Sequence, residues 1–91
     1  MITVWKYRLV WEEIQKITMP YGAEILCIQL QDGIPTAWVR VDEDSEPSER
    51  TIAVVGTGHA APGYAEARYI DTVQKDGFVW HFFEPREESG L

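Results

Sequence analysis

The sequence has a single cysteine, Cys27, so no disulfide can form within the chain; the apolar run around it predicts a reduced thiol in the core of a cytosolic protein. No apolar run approaches the length of a membrane span, and no signal pattern opens the chain, which predicts a soluble protein outside the usual secretory route. Basic residues are scarce: 8 against 15 acidic ones, for a formal charge of −7. That balance argues against duplex DNA, RNA or any other long polyanion as a partner. A small anion stays open, because a few arginines can make a local positive site that overall charge weakens only across a screening length of about 8 Å.

Recognisable catalytic motifs are missing as well. Gly56-Thr57-Gly58 is not followed by lysine and Ser/Thr, and no helical period follows it, so it is not a nucleotide-triphosphatase loop. The two histidines, His59 and His81, lie in no HxT or HxS repeat, and no nucleophile elbow accompanies them. Carboxylates at 42, 44 and 46 suggest a calcium loop, but such a loop starting at Asp42 needs glycine at 47 and glutamate at 53, where the chain has Pro47 and Ala53. The sequence thus calls for no metal, no cofactor and no enzymatic activity.

What is present is strand pattern and aromatic area. Ninety-one residues suit one domain, placed at residues 1–84 and followed by a polar, frayed tail at 85–91. A chain this short buries only roughly 60 to 65% of the surface its unfolded form exposes, yet it carries 4 Trp, 4 Tyr and 3 Phe. Residues 1–11 alternate, with Trp5, Tyr7, Leu9 and Trp11 on one face. A short second strand is expected over 14–19, with a helix over 11–19 as its alternative. Residues 23–31 are apolar on both faces and predict a central strand. Asp32-Gly33 marks a hairpin returning through 36–42, the acidic stretch 42–49 a solvated loop, and 51–55 a buried strand. The connection 60–68 has room for a helical turn at 63–67; a strand at 69–74, a second Asp-Gly hairpin at 76–77 and a last strand at 78–84 follow. Six to seven short strands with regular turns and no long helix predict an all-β fold, a small antiparallel β-sandwich or partly closed barrel.

Candidate ligand-binding residues gather around TIAVVGTGHA, residues 51–60. A buried strand delivers Gly56, Thr57, Gly58 and His59 to a sheet edge, where glycine lets backbone N–H groups approach an anion. The competing reading is a strand-exit turn or bulge. Arg40, Arg50 and Arg68 each lie near a strand end or loop and form an anion clamp if they converge, or pair with surface carboxylates if they do not. Trp38 shares a strand face with Arg40, which suits either a base-stacking platform beside a phosphate contact or simple core packing. His81, on one face with Val79 and Phe83, reads as a hydrogen-bonded core or interface residue. Trp5, Tyr7 and Trp11 of the first strand with Phe78, Trp80 and Phe82 of the last predict a subunit contact and a homo-oligomer.

Taken together, the VWKY opening, MPYGAEIL, AWVRVD, RTIAVVGTGH, RYIDTVQ and GFVWHFFE resemble a family of small proteins encoded by tailed bacteriophages. The resemblance spans most of residues 4–84, is strongest at GTGH and FVWHFFE, and brings no catalytic residues with it. It implies a phage accessory protein acting in the bacterial host cytoplasm. Small oligomeric phage proteins without catalytic motifs include sponges that sequester nucleotide signals of host antiviral defence, an analogy of context and size. The leading expectation is therefore a non-enzymatic sponge for a small anionic nucleotide-like ligand, and the alternative is a structural or protein-interaction module.

Overall fold

The computed structural model describes residues 1–61 and 63–86. Seven antiparallel strands form two packed sheets, as the all-β reading predicts: β1 (Ile2–Arg8), β2 (Ile14–Pro20), β3 (Glu24–Gln31), β4 (Ile34–Asp42), β5 (Pro47–Gly56), β6 (Arg68–Lys75) and β7 (Phe78–Glu84). One sheet has three strands in the order β1-β4-β3, the other four in the order β2-β5-β7-β6. Among the described residues no helix is long and apolar enough to cross a membrane. Pro62 and residues 87–91, which include most of the expected tail, lie outside the described residues.

Local chemistry fixes two of the pairings. Asp32-Gly33 and Asp76-Gly77 all take positive φ, 53° and 76° in the first pair and 53° and 83° in the second. These are the angles of a primed two-residue hairpin, and they join β3 to β4 and β6 to β7. The long-range pairs follow the apolar faces. Ala37, Val39 and Val41 of β4 oppose Tyr7, Trp5 and Thr3 of β1, and with Ile25 and Ile28 of β3 they pack on Ile52, Val73 and Phe82 of the other sheet.

Two bulges join the sheets along one side. Register shifts at Ile25/Cys27 in β3 and at Tyr69/Asp71 in β6 leave Leu26 and Ile70 as extra residues. Across the seam the Ile28 amide donates to Asp71 Oδ2 at 2.9 Å, so a side chain replaces the ladder where the two sheets meet.

Several expectations change here. β3 is not central: it is hydrogen-bonded to β4 alone and is the edge of its sheet, with β6 beside it across the seam. Cys27 is not in the core but half-buried on the outer face opposite Trp38, because the bulge at Leu26 shifts alternation by one residue and gives the inward position to Ile28. β5 begins at Pro47 rather than 51, since residues 47–50 continue the ladder with β2 through Ile17↔Arg50 to Pro20↔Pro47. Residues 63–67 make turns closed by Tyr64 N–H to Ala61 O and Ala67 N–H to Tyr64 O, not a helix. Residues 14–20 are a strand, which removes the helical alternative.

Candidate functional site

β5 reaches two clefts, one at each end. At its C-terminal end β2 has already stopped: Ile14 pairs with Ala53, and the last cross-link is the Val54 amide donating to Glu13 O at 3.0 Å. The strand therefore leaves its neighbour, and the space beside it forms a cleft of about 750 Å³ lined by Trp11, His59, Tyr64 and Trp80, with Glu12 and Glu13 among the lining residues. Trp11 lies 5.7 Å from Trp80 and 6.1 Å from Phe82 between centroids, and the His59 ring stands edge-on to Trp80 at 6.3 Å and 71°. Gly56 is what lets these rings meet. A Cβ there would come within 2.8 Å of His59 Nδ1 and 3.0 Å of Trp80, so any side chain displaces the imidazole.

The GTGH loop is a strand-exit turn as well as a cleft wall. The His59 amide donates to Gly56 O at 3.0 Å and the Thr57 amide to Val79 O at 3.1 Å, so two of its N–H groups are already engaged. Thr57 turns to the opposite face of the sheet. Its Oγ1 lies 2.7 Å from His81 Nε2, His81 Nδ1 lies 3.1 Å from Thr72 Oγ1, and Thr72 Oγ1 lies 2.7 Å from the Tyr69 hydroxyl. A hydroxyl on an imidazole that a third group orients is the geometry of an activated nucleophile. Here the orienting group is a neutral hydroxyl rather than a carboxylate, and the Thr57 amide faces Val79 O, so the row fastens the loop to β6 and β7. The cross-strand partner of Thr57 was not legible in the sequence; the register Val55↔His81↔Thr72 supplies it.

At the N-terminal end of β5 the chemistry reverses. Arg50 donates through Nε and Nη2 to both oxygens of Glu84, the Nη2 contact measuring 2.9 Å, and through Nη1 to Ala23 O at 2.8 Å. Both side chains are largely buried, at 19% and 16% exposure, and pairing with Glu84 holds the guanidinium above its ordinary pKa despite desolvation. Arg68 Nη1 approaches the same carboxylate at 4.0 Å, and Arg86 pairs with Glu66 at 3.3 Å. These residues line a cleft of about 730 Å³. Arg86, in the expected tail, was not among the candidates.

The expected ligand set is thus divided. Gly56, Thr57, Gly58 and His59 lie at one end of β5, Arg50 and Arg68 at the other, about 20 Å away by strand rise over six residues. Arg40 and Trp38 sit on the outer face of the three-stranded sheet, where Arg40 pairs with Glu24 and half-buried Trp38 lies between Lys6 and Cys27. Within one chain the three arginines do not converge on His59. Of the aromatics expected at a subunit contact, Trp11 packs on Trp80 and Phe82 within the chain, and Trp5, Trp11 and Phe78 remain exposed at 38%, 39% and 62%.

The comparisons with known proteins give a family. The model described as "Domain of unknown function (DUF7352)" matches residues 1–90, and the chain belongs to that family. No curated protein and no solved structure matches it.

Proposed function

We propose that this chain is a non-enzymatic binding protein whose cleft at the GTGH end takes the base of a small nucleotide-like ligand. The observation that carries the reading is the aromatic wall itself: the Trp11 and Trp80 indoles with the His59 imidazole, which packs so closely over Gly56 that a Cβ there would displace it. A cleft of about 750 Å³ is in the size range of small-ligand sites, and flat π faces stack on any base. Glu12 and Glu13 refine the ligand. Carboxylates accept hydrogen bonds from ribose hydroxyls or exocyclic amines and repel phosphate, so the nucleoside end enters and the phosphates stay outside. Cations for those phosphates come from elsewhere, such as a neighbouring subunit in the expected homo-oligomer. The biological setting we propose is that of the phage resemblance: sequestration of a nucleotide signal of host defence in the bacterial cytoplasm.

Calorimetry and thermal shift with cyclic dinucleotides, cyclic ADP-ribose isomers and plain nucleosides test this. Stabilisation by at least one, with unaltered ligand recovered after heat denaturation, is the expected result. No binding by any of them removes the proposal, and recovery of a cleaved product replaces it with an enzyme. A second reading, a protein-interaction module, is favoured by Phe78, which is 62% exposed and extends the aromatic surface outward from Trp80 at 5.9 Å.

A further inference from the structure

We infer that two copies of this chain join through β1, edge to edge, into one continuous six-stranded sheet. The inference rests on the proposed self-association and names its surface. It begins with the backbone. Glu43 N–H donates to Met1 O and Leu9 N–H to Pro35 O, so the odd-numbered residues of β1 face β4. The N–H and C=O groups of Ile2, Val4, Lys6 and Arg8 therefore point away from the sheet along its free edge. The other edges are protected. β3 and β6 lie along each other at the seam, and β2 presents Lys16 and Pro20 on its open side, Pro20 lacking a donor.

Side chains select the register. An antiparallel pair with its two-fold axis at Trp5 sets Val4 opposite the second copy's Lys6 and Ile2 opposite the second copy's Arg8, engaging all seven residues of β1. Trp5 then faces Trp5 at a non-hydrogen-bonded position, where side chains come closest; it is 38% exposed, although it stands on the inner face opposite Val39. Moving the axis to Lys6 would oppose like charges, and moving it to Val4 would leave Tyr7 and Arg8 unpaired. Charge is self-complementary in the favoured register. Ile2 lies opposite Asp42 of β4, so the second copy's Arg8 shares a row with Asp42 about 10 Å away, within reach of an arginine extended over Ile2. Asp42 and Asp44, which hold the Met1 ammonium at 3.4 and 2.9 Å, keep a net negative corner at one end of β1, and Lys6 and Arg8 make a basic half at the other; two-fold pairing places each on its opposite.

Sedimentation velocity over a wide range of protein concentration tests this, with Val4→Pro and Arg8→Glu beside the parent chain. Val4→Pro removes a donor aimed at the free edge and none from the β1–β4 ladder. The parent is expected to dimerise and to add, as its concentration rises, a Trp5–Trp5 exciton contribution to the couplet that Trp11 and Trp80 give within each chain; Trp5→Phe should remove only the concentration-dependent part. Val4→Pro should sediment as a folded monomer and Arg8→Glu should dimerise more weakly, with the double variant Arg8→Glu, Asp42→Arg recovering part of the loss. Should Val4→Pro fail to fold, the two charge variants carry the test. A parent chain that is monomeric throughout overturns both the self-association and the edge. A dimer that Val4→Pro and Arg8→Glu leave unchanged overturns the edge alone.

Discussion

The two ends of β5 are chemical opposites built on one strand. Its N-terminal end holds Arg50 in a nearly buried, bidentate pair with Glu84, with Arg68 and Arg86 around it. Its C-terminal end holds Gly56 and His59 against Trp11 and Trp80, with Glu12 and Glu13 beside them. Residues that both read as anion ligands in sequence thus have different duties. An arginine whose charge is already satisfied by an internal carboxylate is a structural tie, and removing it costs stability. A glycine whose missing Cβ admits an imidazole and an indole shapes a cavity, and under the proposed function filling it costs binding.

This contrast can be broken or sharpened from either end. Trp80→Ala has the largest expected effect: a loss of about 3 kcal/mol in urea unfolding, from truncating a half-buried indole that packs on Trp11, together with loss of detectable ligand binding by calorimetry. Arg50→Met comes next, at about 2 kcal/mol, because Glu84 is left in a poorly solvated place while Arg68 compensates in part. Its ligand affinity should be unchanged; a fall in affinity would merge the two ends into one site. Gly56→Ala should cost about 1 kcal/mol in stability and about tenfold in affinity, since the new methyl displaces His59 and narrows the cleft. The smallest effect belongs to the pair Glu12→Gln, Glu13→Gln, which should favour phosphate-bearing ligands over neutral nucleosides by about two- to threefold relative to the parent chain. Equal weakening of both ligand classes would show that the carboxylates act on the nucleoside rather than on the phosphates.

Much of the fold could be read from residue order, and the reasons are local. Alternation marked the strands, and the two Asp-Gly pairs marked hairpins whose positive φ angles the structure reproduces. Cys27 shows where this reading stops: one extra residue at Leu26 turns every later side chain of β3 to the other face, and nothing in AEILCIQLQ marks the bulge. The site was legible in part. GTGH was singled out, but its companions Trp11 and Trp80 come from the chain before β2 and from β7, and the cleft they share opens because β2 begins only at Ile14. The pairing of Thr57 with His81 likewise follows from the register of β5 on β7.

By itself the sequence determined what short-range chemistry determines: an all-β chain, its turns, its single thiol, its acidity and the membership of its core strands. That Arg50 ties down Glu84, and that Gly56 admits an imidazole and an indole, was decided only by tertiary structure. Both depend on a group more than twenty residues away in sequence, Glu84 for Arg50 and Trp80 for Gly56, brought into place by strand register and by where each strand stops.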